Sequence, residues 1–346
     1  MKPLYRRIAG LDVHRMLYVL TVLIELDDGT VAKHPGSFGG FKRDVRGLVA
    51  WLLELGVELV VMESTGIYWK SVYAALEQAG IPAHVVNARH ARNVPGRKTD
   101  TADSEWLAQL GRFGLVKPSF IPPQDLRELR WVSRYRQKLA QTLAGEKNRL
   151  HKILDDAGIK LGAVVADIDG VSACAIIAGL IAGTPLEPLP DLARGVLRNQ
   201  RDTLQQALEG ELSPRHRFVL QHLHSHLHAL ETELASLEAY LIDAMAPYAE
   251  HGQLLQTLPG LDQISAVLIL VEIGTDLSGF GDAAHWASWA ALGSGNHESA
   301  GQTQVGQDPQ GPSCGPLPPL RSRQCRSTNP QRLPHPVSKP GAPQGP

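Results

Sequence analysis

Four acidic residues place the strongest constraint on the fold and function of this chain. They lie in or directly after predicted strands and at the start of a predicted helix. Asp100 and Asp103 stand three residues apart where a helical pattern begins, so both carboxylates project from one face of its first turn. Glu63 follows the apolar run 59–62, which is typical of a strand buried on both faces. Asp12 lies in a second strand-like run, residues 8–13. Carboxylates in such an arrangement can hold divalent cations.

The order of the predicted elements favours an α/β fold like that of ribonuclease H. Strands and helices are predicted, in chain order, at residues 8–13, 17–26, from 31, 41–55, 59–62, from about 68, 83–87 and from about 100. In such folds an Asp on the first strand faces an acid at the end of the fourth strand. We therefore expect Asp12 and Glu63 to lie close together.

Clustered carboxylates have a specific use in phosphodiester chemistry. Two Mg²⁺ ions about 4 Å apart activate a nucleophile and stabilise the leaving oxygen. Hard cations prefer carboxylate oxygens, and four neighbouring acids would repel one another without the metal. The alternative for any single acid is a helix cap or a partner of the helix dipole, which are common roles at strand ends and helix starts. The four acids together favour a Mg²⁺ site.

Three short segments resemble the signatures of a known family. Residues 10–14 read GLDVH, residues 62–66 read MESTG and residues 98–103 read KTDTAD. They are similar to signatures of the DEDD-type transposases of bacterial mobile elements, the insertion-sequence 110 family, which is related to the pilin-gene invertase. The resemblance extends from about Ile8 to Gly301 and implies a RuvC-like nuclease domain that binds Mg²⁺ through Asp12, Glu63, Asp100 and Asp103.

The same resemblance implies further properties that the residues alone do not indicate. These are a second domain with a serine nucleophile, DNA as the substrate, and recombination guided by an RNA from the element's own end. Within the glycine-rich segment 293–301 the resemblance makes Ser299 the nucleophile, with Ser294 as the second choice. A serine in such a segment is otherwise most often a turn residue.

Length and composition limit the remaining possibilities. The chain has 346 residues, so two or more domains are expected. Its net charge of −1 means that any surface for nucleic acid must be local. Its three cysteines lack disulfide or metal-ligand spacing, and no apolar run predicts a signal peptide or a membrane span. We therefore expect a protein of the reducing cytoplasm.

Four regions are predicted along the chain. They are a RuvC-like nuclease domain over 1–123, a helical coiled-coil or dimerisation region over 124–250, a partial, mainly α C-terminal transposase domain over 251–301, and a tail over 302–346. In the second region leucines recur every three or four residues from Leu220 to Leu241. This spacing is typical of the apolar seam of an antiparallel helix pair or of a dimeric coiled coil. We also expect a dimer or tetramer of the chain.

Positive charge is concentrated at two places. Arg97 and Lys98 lead into the acid pair, where they fit a phosphate backbone and an ordinary solvated loop equally well. A further set shares one face of the helix predicted over 124–158, beside Trp131 and Tyr135: Arg127, Arg130, Arg134 and Lys138. We expect that face to contact nucleic acid, with the aromatic rings stacking on bases or ribose. The alternative is a solvated face whose two aromatics turn to a partner helix.

The third region begins with a possible helix-hairpin-helix. Residues 258–261 read LPGL and precede an apolar helical run. Such a motif presents backbone N–H groups at a helix start to a DNA phosphate. Pro-Gly before a helix is also simply a good turn, so the motif alone does not decide between the two.

The pattern changes immediately after Gly301. Residues 302–346 contain eleven prolines and one acid without a periodic apolar segment, which predicts disorder. Read one base later, the codons allowed for residues 302–311 permit KRRSGKTRKG, which follows the basic signature of the family at this point. We therefore predict a frameshift near codon 301 and an out-of-frame tail. Two other functions stay open: a metal-dependent junction nuclease that uses only the four acids, and a non-catalytic DNA-binding or dimerising fragment.

Overall fold

A computed structural model describes residues 2–64, 66–87, 99–289, 296–299 and 302–305. The chain divides between Gln124 and Asp125 into two compact units. The first unit is a mixed α/β domain, and the second is mainly helical. Among the described residues, no helix combines the length and the apolar character needed to cross a membrane.

A five-stranded mixed sheet forms the centre of the first unit. Its strands are β1 (Arg7–Val13), β2 (Leu17–Glu25), β3 (Val31–Gly39), β4 (Leu59–Glu63) and β5 (Ala83–Val86). They lie side by side in the order β3-β2-β1-β4-β5. The pairs β1–β2 and β2–β3 are antiparallel, whereas β1–β4 and β4–β5 are parallel. This sheet and the order of its elements confirm the predicted ribonuclease-H-like architecture of the N-terminal domain.

Helices cover both faces of this sheet. They are α1 (Lys42–Glu54), α2 (Trp69–Gln78) and α3 (Asp100–Arg112). Ala9, Leu11 and Val13 of β1 pack in one core cluster that also contains α1 and α2 side chains. Ile8, on the other face, packs with Leu107 of α3. Because successive strand residues alternate between faces, Gly10 and Asp12 point to the same side as Ile8, the side of α3.

Helix α3 lies very close to β1 because residue 10 is a glycine. A Cβ atom at Gly10 would lie 2.5 Å from the backbone nitrogen of Ala108 and closer still to the carbonyl oxygen of Ser104. Both of those atoms belong to backbone and cannot swing away. Ser104 also shares a buried hydrogen bond of 2.8 Å with Thr21 of β2. The first half of α3 is therefore fixed against the middle of β1.

The second unit consists of helices and short connections. Its α-helices are α4 (Gln124–Asp156), α5 (Leu161–Val164), α6 (Val171–Ala182), α7 (Arg201–Ala207), α8 (Pro214–Ala244), α9 (Ala249–Gln256), α10 (Gln263–Ile273) and α11 (Ala283–Trp289). A short break that ends at Ser213 separates α7 from α8. Ser213 caps α8, accepting the backbone N–H of His216 at 3.2 Å while the His216 ring accepts the N–H of Ser213.

Contacts between α4 and α8 run antiparallel. Tyr135 donates to Glu233 at 3.1 Å, and further along α4 the carboxylate of Glu146 lies 3.9 Å from His226, which comes earlier in α8. Within the chain, Leu220 and Leu227 of the leucine seam pack in a core cluster that includes Leu150 of α4. The seam thus has partners inside one chain. The predicted dimeric coiled coil and the oligomer stay predictions.

A two-stranded hairpin corrects the predicted start of the disordered tail. Strand β6 (Asn296–Ser299) pairs antiparallel with β7 (Gln302–Val305). The first four residues of the segment predicted to be disordered therefore form a strand. The reason is local, since Thr303 and Val305 favour strands while the many prolines come later in the tail. Residues 306–346, the rest of the predicted tail, lie outside the described residues.

We expect Gly10→Ala to destabilise the protein by about 1–3 kcal/mol or more, because the added methyl group meets the backbone of α3. Gly47→Ala is the matched control. Gly47 is an exposed helical residue of α1, and a Cβ atom added there would lie 4.0 Å from the nearest side-chain atoms, those of Phe38. This control should be neutral or stabilising by roughly 0.5–1 kcal/mol. Urea unfolding of both variants checks the prediction, and equal effects would contradict the close approach.

Candidate metal centre

The carboxyl ends of two adjacent parallel strands bring the first pair of acids together. Strand β1 pairs with β4 up to Leu11 and Met62, and Asp12 and Glu63 are the next residue of each strand. Leu59 and Val61 of β4 pack on the α3 side of the sheet, so alternation directs Glu63 to that side too. Asp12 and Glu63 therefore share one edge and one face of the sheet, as the sequence predicts.

The first turn of α3 brings the second pair of acids to the same edge. Thr99 caps the helix, its hydroxyl accepting the backbone N–H of Ala102 at 3.3 Å. Asp100 and Asp103 follow within the first turn, where the helix dipole favours negative charge. Ser104 and Leu107, on the same helical face, pack against the sheet. Because this face of α3 packs against the sheet, Asp100 and Asp103 lie on the side of the helix that is nearest to Asp12.

Three side chains converge closely at this edge: Asp12, His14 and Asp100. The Nε2 atom of His14 lies 3.2 Å from Oδ2 of Asp12 and 3.5 Å from Oδ2 of Asp100. One potential ligand atom from each of the three side chains lies within 4.8 Å of the others. The Asp12 side chain is only 15% exposed, whereas those of His14 and Asp100 are about half exposed. Such a site has a buried floor and an open side.

The charges of this cluster act on Asp12. Burial raises the pKa of Asp12 above its ordinary value, the nearby His14 acts in the opposite direction, and the carboxylates of Asp100 and Asp103 raise the pKa further. The last two effects show that both α3 acids lie within electrostatic range of Asp12. A cation among these oxygens would favour the ionised form of all three acids. The donor set, carboxylates with one imidazole, thus suits a divalent metal ion.

The structure places the predicted site residues as follows. Asp12 and Asp100 come together, Asp103 lies within electrostatic range of Asp12, and Glu63 stands half-buried at the end of the neighbouring strand. Arg97 and Lys98 lie outside the described residues. The sequence reasoning missed His14, although a signal was present. His14 follows Asp12 by two residues, and that spacing puts both side chains on one side of an extended chain.

The basic face of α4 has partners within the second unit. The Nε atom of Arg130 lies 3.2 Å from Oε2 of Glu272, and Arg134 lies 3.4 Å from the other oxygen of that carboxylate. Arg130 also donates to the carbonyl oxygens of Val271 and Glu272. Glu272 is buried in α10, so these two arginines stabilise the packing of α4 on α10. Nucleic-acid contact by this face stays a prediction, and it now depends most on the exposed Lys138.

The turn before α10 has its own capping residue. Gly260 adopts the left-handed region with a φ of 89°, which suits glycine. Asp262 then caps α10, and its carboxylate accepts the backbone N–H of Ser265 at 2.8 Å. This hydrogen bond lowers the pKa of Asp262 below its usual value. An N–H group that the predicted helix-hairpin-helix would offer to a phosphate is therefore used by the chain itself.

The predicted serine nucleophile lies in the short hairpin. Ser299 is the last residue of β6 and pairs with Gln302 of β7. The second choice, Ser294, lies outside the described residues. The role of either serine stays a prediction.

Comparison with known proteins gives two family matches. A model of DEDD transposases of the IS110 type, described as a transposase, matches residues 9–159. A second, described as the transposase IS116/IS110/IS902 family, matches residues 252–311. No curated protein matches the chain.

Solved structures of RuvC from Thermus thermophilus are also similar to part of the chain. RuvC in complex with a Holliday junction substrate is 15% identical, with a TM-score of 0.26, over 33% of this chain and 100% of that chain. A second Thermus thermophilus RuvC structure is 17% identical, with a TM-score of 0.25, over 33% of this chain and 99% of that chain. The fold assignment rests on the strand order and pairing of the sheet.

The two family matches agree with each other and with the site. Both name the same group of transposases, and they match separate parts of the chain in the expected order. The first includes the strand with Asp12, the strand with Glu63 and the helix with Asp100 and Asp103. The chain therefore belongs to the IS110 family of DEDD transposases, which are enzymes that act on DNA.

Proposed function

We propose that this chain cuts and rejoins DNA as the transposase of a mobile element, using Mg²⁺ held by Asp12, Glu63, Asp100 and Asp103. The observation that carries the proposal is the convergence of Asp12, His14 and Asp100 at the open edge of the sheet. The pKa of Asp12, raised in part by Asp100 and Asp103, supports the inclusion of Asp103. The register of β1 and β4 supports the inclusion of Glu63.

The residues of the chain shape a site that can accept a phosphodiester. A bound divalent metal ion supplies activation of a nucleophile and stabilisation of a leaving oxygen. Asp12 fixes the buried side of the site, because its backbone belongs to a central strand with a neighbour on each side. Asp100 and Asp103 bound the site on the side of α3. The half-exposed Asp100 and His14 leave the opposite side accessible to a DNA backbone.

The proposed function includes a second nucleophile and further partners. Ser299 would attack DNA, a guide RNA from the element would select the sites, and the chain would act as a dimer or tetramer. Support for a second catalytic region comes from the second family match, whose residues 252–311 include Ser299. The four acids alone would suffice for a metal-dependent junction nuclease, so the experiment below separates the two functions.

We expect Mg²⁺ to raise the melting temperature of the full chain over that in chelator, because an ion that binds only the folded state stabilises it by about 2.7 kcal/mol at a hundred times its Kd. Asp12→Asn should abolish this increase and should raise the melting temperature in chelator, since it removes a carboxylate that its neighbours repel. Glu54→Gln, at an exposed position of α1, is the control and should keep the response to Mg²⁺. A normal Mg²⁺ response in Asp12→Asn would contradict the proposed site.

DNA cleavage and rejoining then test the function. Strand exchange on DNA that carries the element's ends, with its flanking RNA, should require Mg²⁺ and fail in Asp12→Asn and in Ser299→Ala. Mg²⁺-dependent cleavage of branched DNA that survives Ser299→Ala would instead favour the junction nuclease. Salt-sensitive DNA binding without cleavage in any buffer would favour the non-catalytic fragment.

The basic face of α4 gives a prediction that separates stability from DNA binding. Arg130→Ala should destabilise the protein by roughly 3 kcal/mol, because it weakens a buried ion pair with Glu272. Lys138→Ala should keep the melting temperature while reducing the salt slope of DNA binding by about one phosphate contact. Lys160→Ala is the control, since Lys160 pairs with Asp155 at 2.8 Å, away from that face. Equal DNA binding of Lys138→Ala and Lys160→Ala would contradict the proposed role of the face.

We also propose that the chain is frameshifted near codon 301, so that the chain as written has lost the closing part of its serine domain. The second family match includes Gly301 and ends at residue 311, shortly after the proposed break. The DNA of codons 300–312, read one base later, should encode KRRSGKTRKG and remain open beyond it. Early stop codons in that frame would contradict the frameshift. Restoring the frame should increase strand exchange if the closing part of the serine domain is required.

A further inference from the structure

We propose that His14 is a nitrogen ligand of the metal centre and that it shifts the centre's preference from Mg²⁺ toward Mn²⁺. The inference rests on the proposed function, since it needs a cation among the acids. It goes beyond that function because it assigns a role to a residue outside the four acids. It also names the property of the enzyme that this residue sets.

The spacing of the three side chains fits one coordination sphere. In an octahedral site with metal–ligand distances of about 2.1 Å, neighbouring ligand atoms lie about 3 Å apart and opposite ones about 4.2 Å apart. Nε2 of His14 lies 3.2 Å and 3.5 Å from oxygens of Asp12 and Asp100. The ligand atoms of all three side chains are within 4.8 Å of one another. One cation can therefore reach all three side chains after small adjustments.

The backbone holds His14 in this position. The strand β1 pairs with β2 up to Val13 and Tyr18, and the backbone N–H of His14 donates to the carbonyl oxygen of Leu17 at 3.0 Å. His14 thus stands at the start of the tight connection between two central strands. Its ring is about half exposed, unlike a histidine that fills a core. Its Nε2 atom reaches both acids.

The chemistry of the two ions makes the consequence specific. Mg²⁺ is a hard cation that prefers oxygen ligands and retains several waters. Mn²⁺ accepts carboxylates equally well, and as a softer transition-metal ion it accepts an imidazole nitrogen more readily than Mg²⁺ does. A site with Asp12, Asp100 and an imidazole should therefore bind Mn²⁺ more tightly than a site made of carboxylates alone. Loss of His14 should weaken Mn²⁺ binding more than Mg²⁺ binding.

The alternative is that His14 only pairs electrostatically with Asp12 and Asp100. A protonated imidazole has no lone pair for a metal, so in that case a cation would displace it. Removal of His14 would then strengthen the binding of both ions, or leave it unchanged, with the same ratio of affinities. The two possibilities therefore predict different changes in the Mn²⁺/Mg²⁺ ratio.

Mn²⁺ itself is the probe. Electron paramagnetic resonance of the full chain measures Mn²⁺ binding, and competition with Mg²⁺ gives the Kd of both ions. Pulsed measurements on the same samples detect coupling of the Mn²⁺ electrons to a directly bound ¹⁴N nucleus. His14→Gln is the test variant, because it removes the imidazole while keeping a polar side chain. His34→Gln, on β3 with β2 between it and β1, is the matched control.

The wild-type chain and His34→Gln should show the nitrogen coupling, and His14→Gln should lose it. In His14→Gln we expect the Kd for Mn²⁺ to rise about tenfold or more and that for Mg²⁺ to change by less than about threefold. Unchanged melting temperatures in chelator would show that the variant folds.

Two outcomes would overturn the inference, and they differ in what they say of the proposed function. Tight Mn²⁺ binding without nitrogen coupling, or with coupling that survives His14→Gln, would remove His14 from the ligands and leave the metal centre intact. If the wild-type chain binds neither ion, and Asp12→Asn behaves like wild type, the metal centre itself fails together with the inference. Asp12→Asn should otherwise lose both ions.

Discussion

The close approach of α3 to β1 is the constraint on which the site depends. Two of the acids belong to the sheet and two belong to a helix some forty residues further along the chain, so only packing can bring them together. Gly10 allows that packing because a side chain there would meet the backbone of α3. Gly111 allows the same close packing at the other end of the helix, because a Cβ atom added there would lie 2.9 Å from Cδ1 of Ile8. A shift of this helix would separate Asp100 from Asp12 even if every acid remained.

The packing has to work against the charges that it assembles. Asp12 is largely buried, and Asp100 and Asp103 raise its pKa, so the cluster is destabilising in itself when all acids are ionised. The contacts that hold α3 are independent of those acids. They include apolar packing around Leu107 and Ala108 and the buried Thr21–Ser104 hydrogen bond. The scaffold thus positions like charges beforehand, and a bound cation would supply the compensating charge.

Much of this site could be predicted from local patterns, and the part that could not has a physical reason. Side chains alternate between the two faces of a strand, which places Asp12 and Glu63, and they recur about every 3.6 residues in a helix, which places Asp100 and Asp103 on one face. The order of the elements then predicted the sheet that joins them. The spacing of His14 from Asp12 indicates only a shared side of the chain, whereas its closeness to Asp100 is a distance across space that no local period contains. The strand β7 was missed because an average over a proline-rich tail hides the two strand-favouring residues Thr303 and Val305.

The basic face of α4 also shows the limit of prediction from local spacing. Here the sequence suggested a functional role for residues that have structural partners. Its spacing correctly predicts that Arg130 and Arg134 share a side of the helix, yet spacing does not say what that side meets. Glu272, more than a hundred residues later, meets both arginines from a buried position in α10. Much of the positive charge that we expected to contact DNA therefore neutralises a buried acid inside the protein. Because a buried carboxylate without its arginines would be costly, selection for folding alone explains these two residues. The argument for a nucleic-acid surface then depends most on the exposed Lys138, together with the exposed rings of Trp131 and Tyr135.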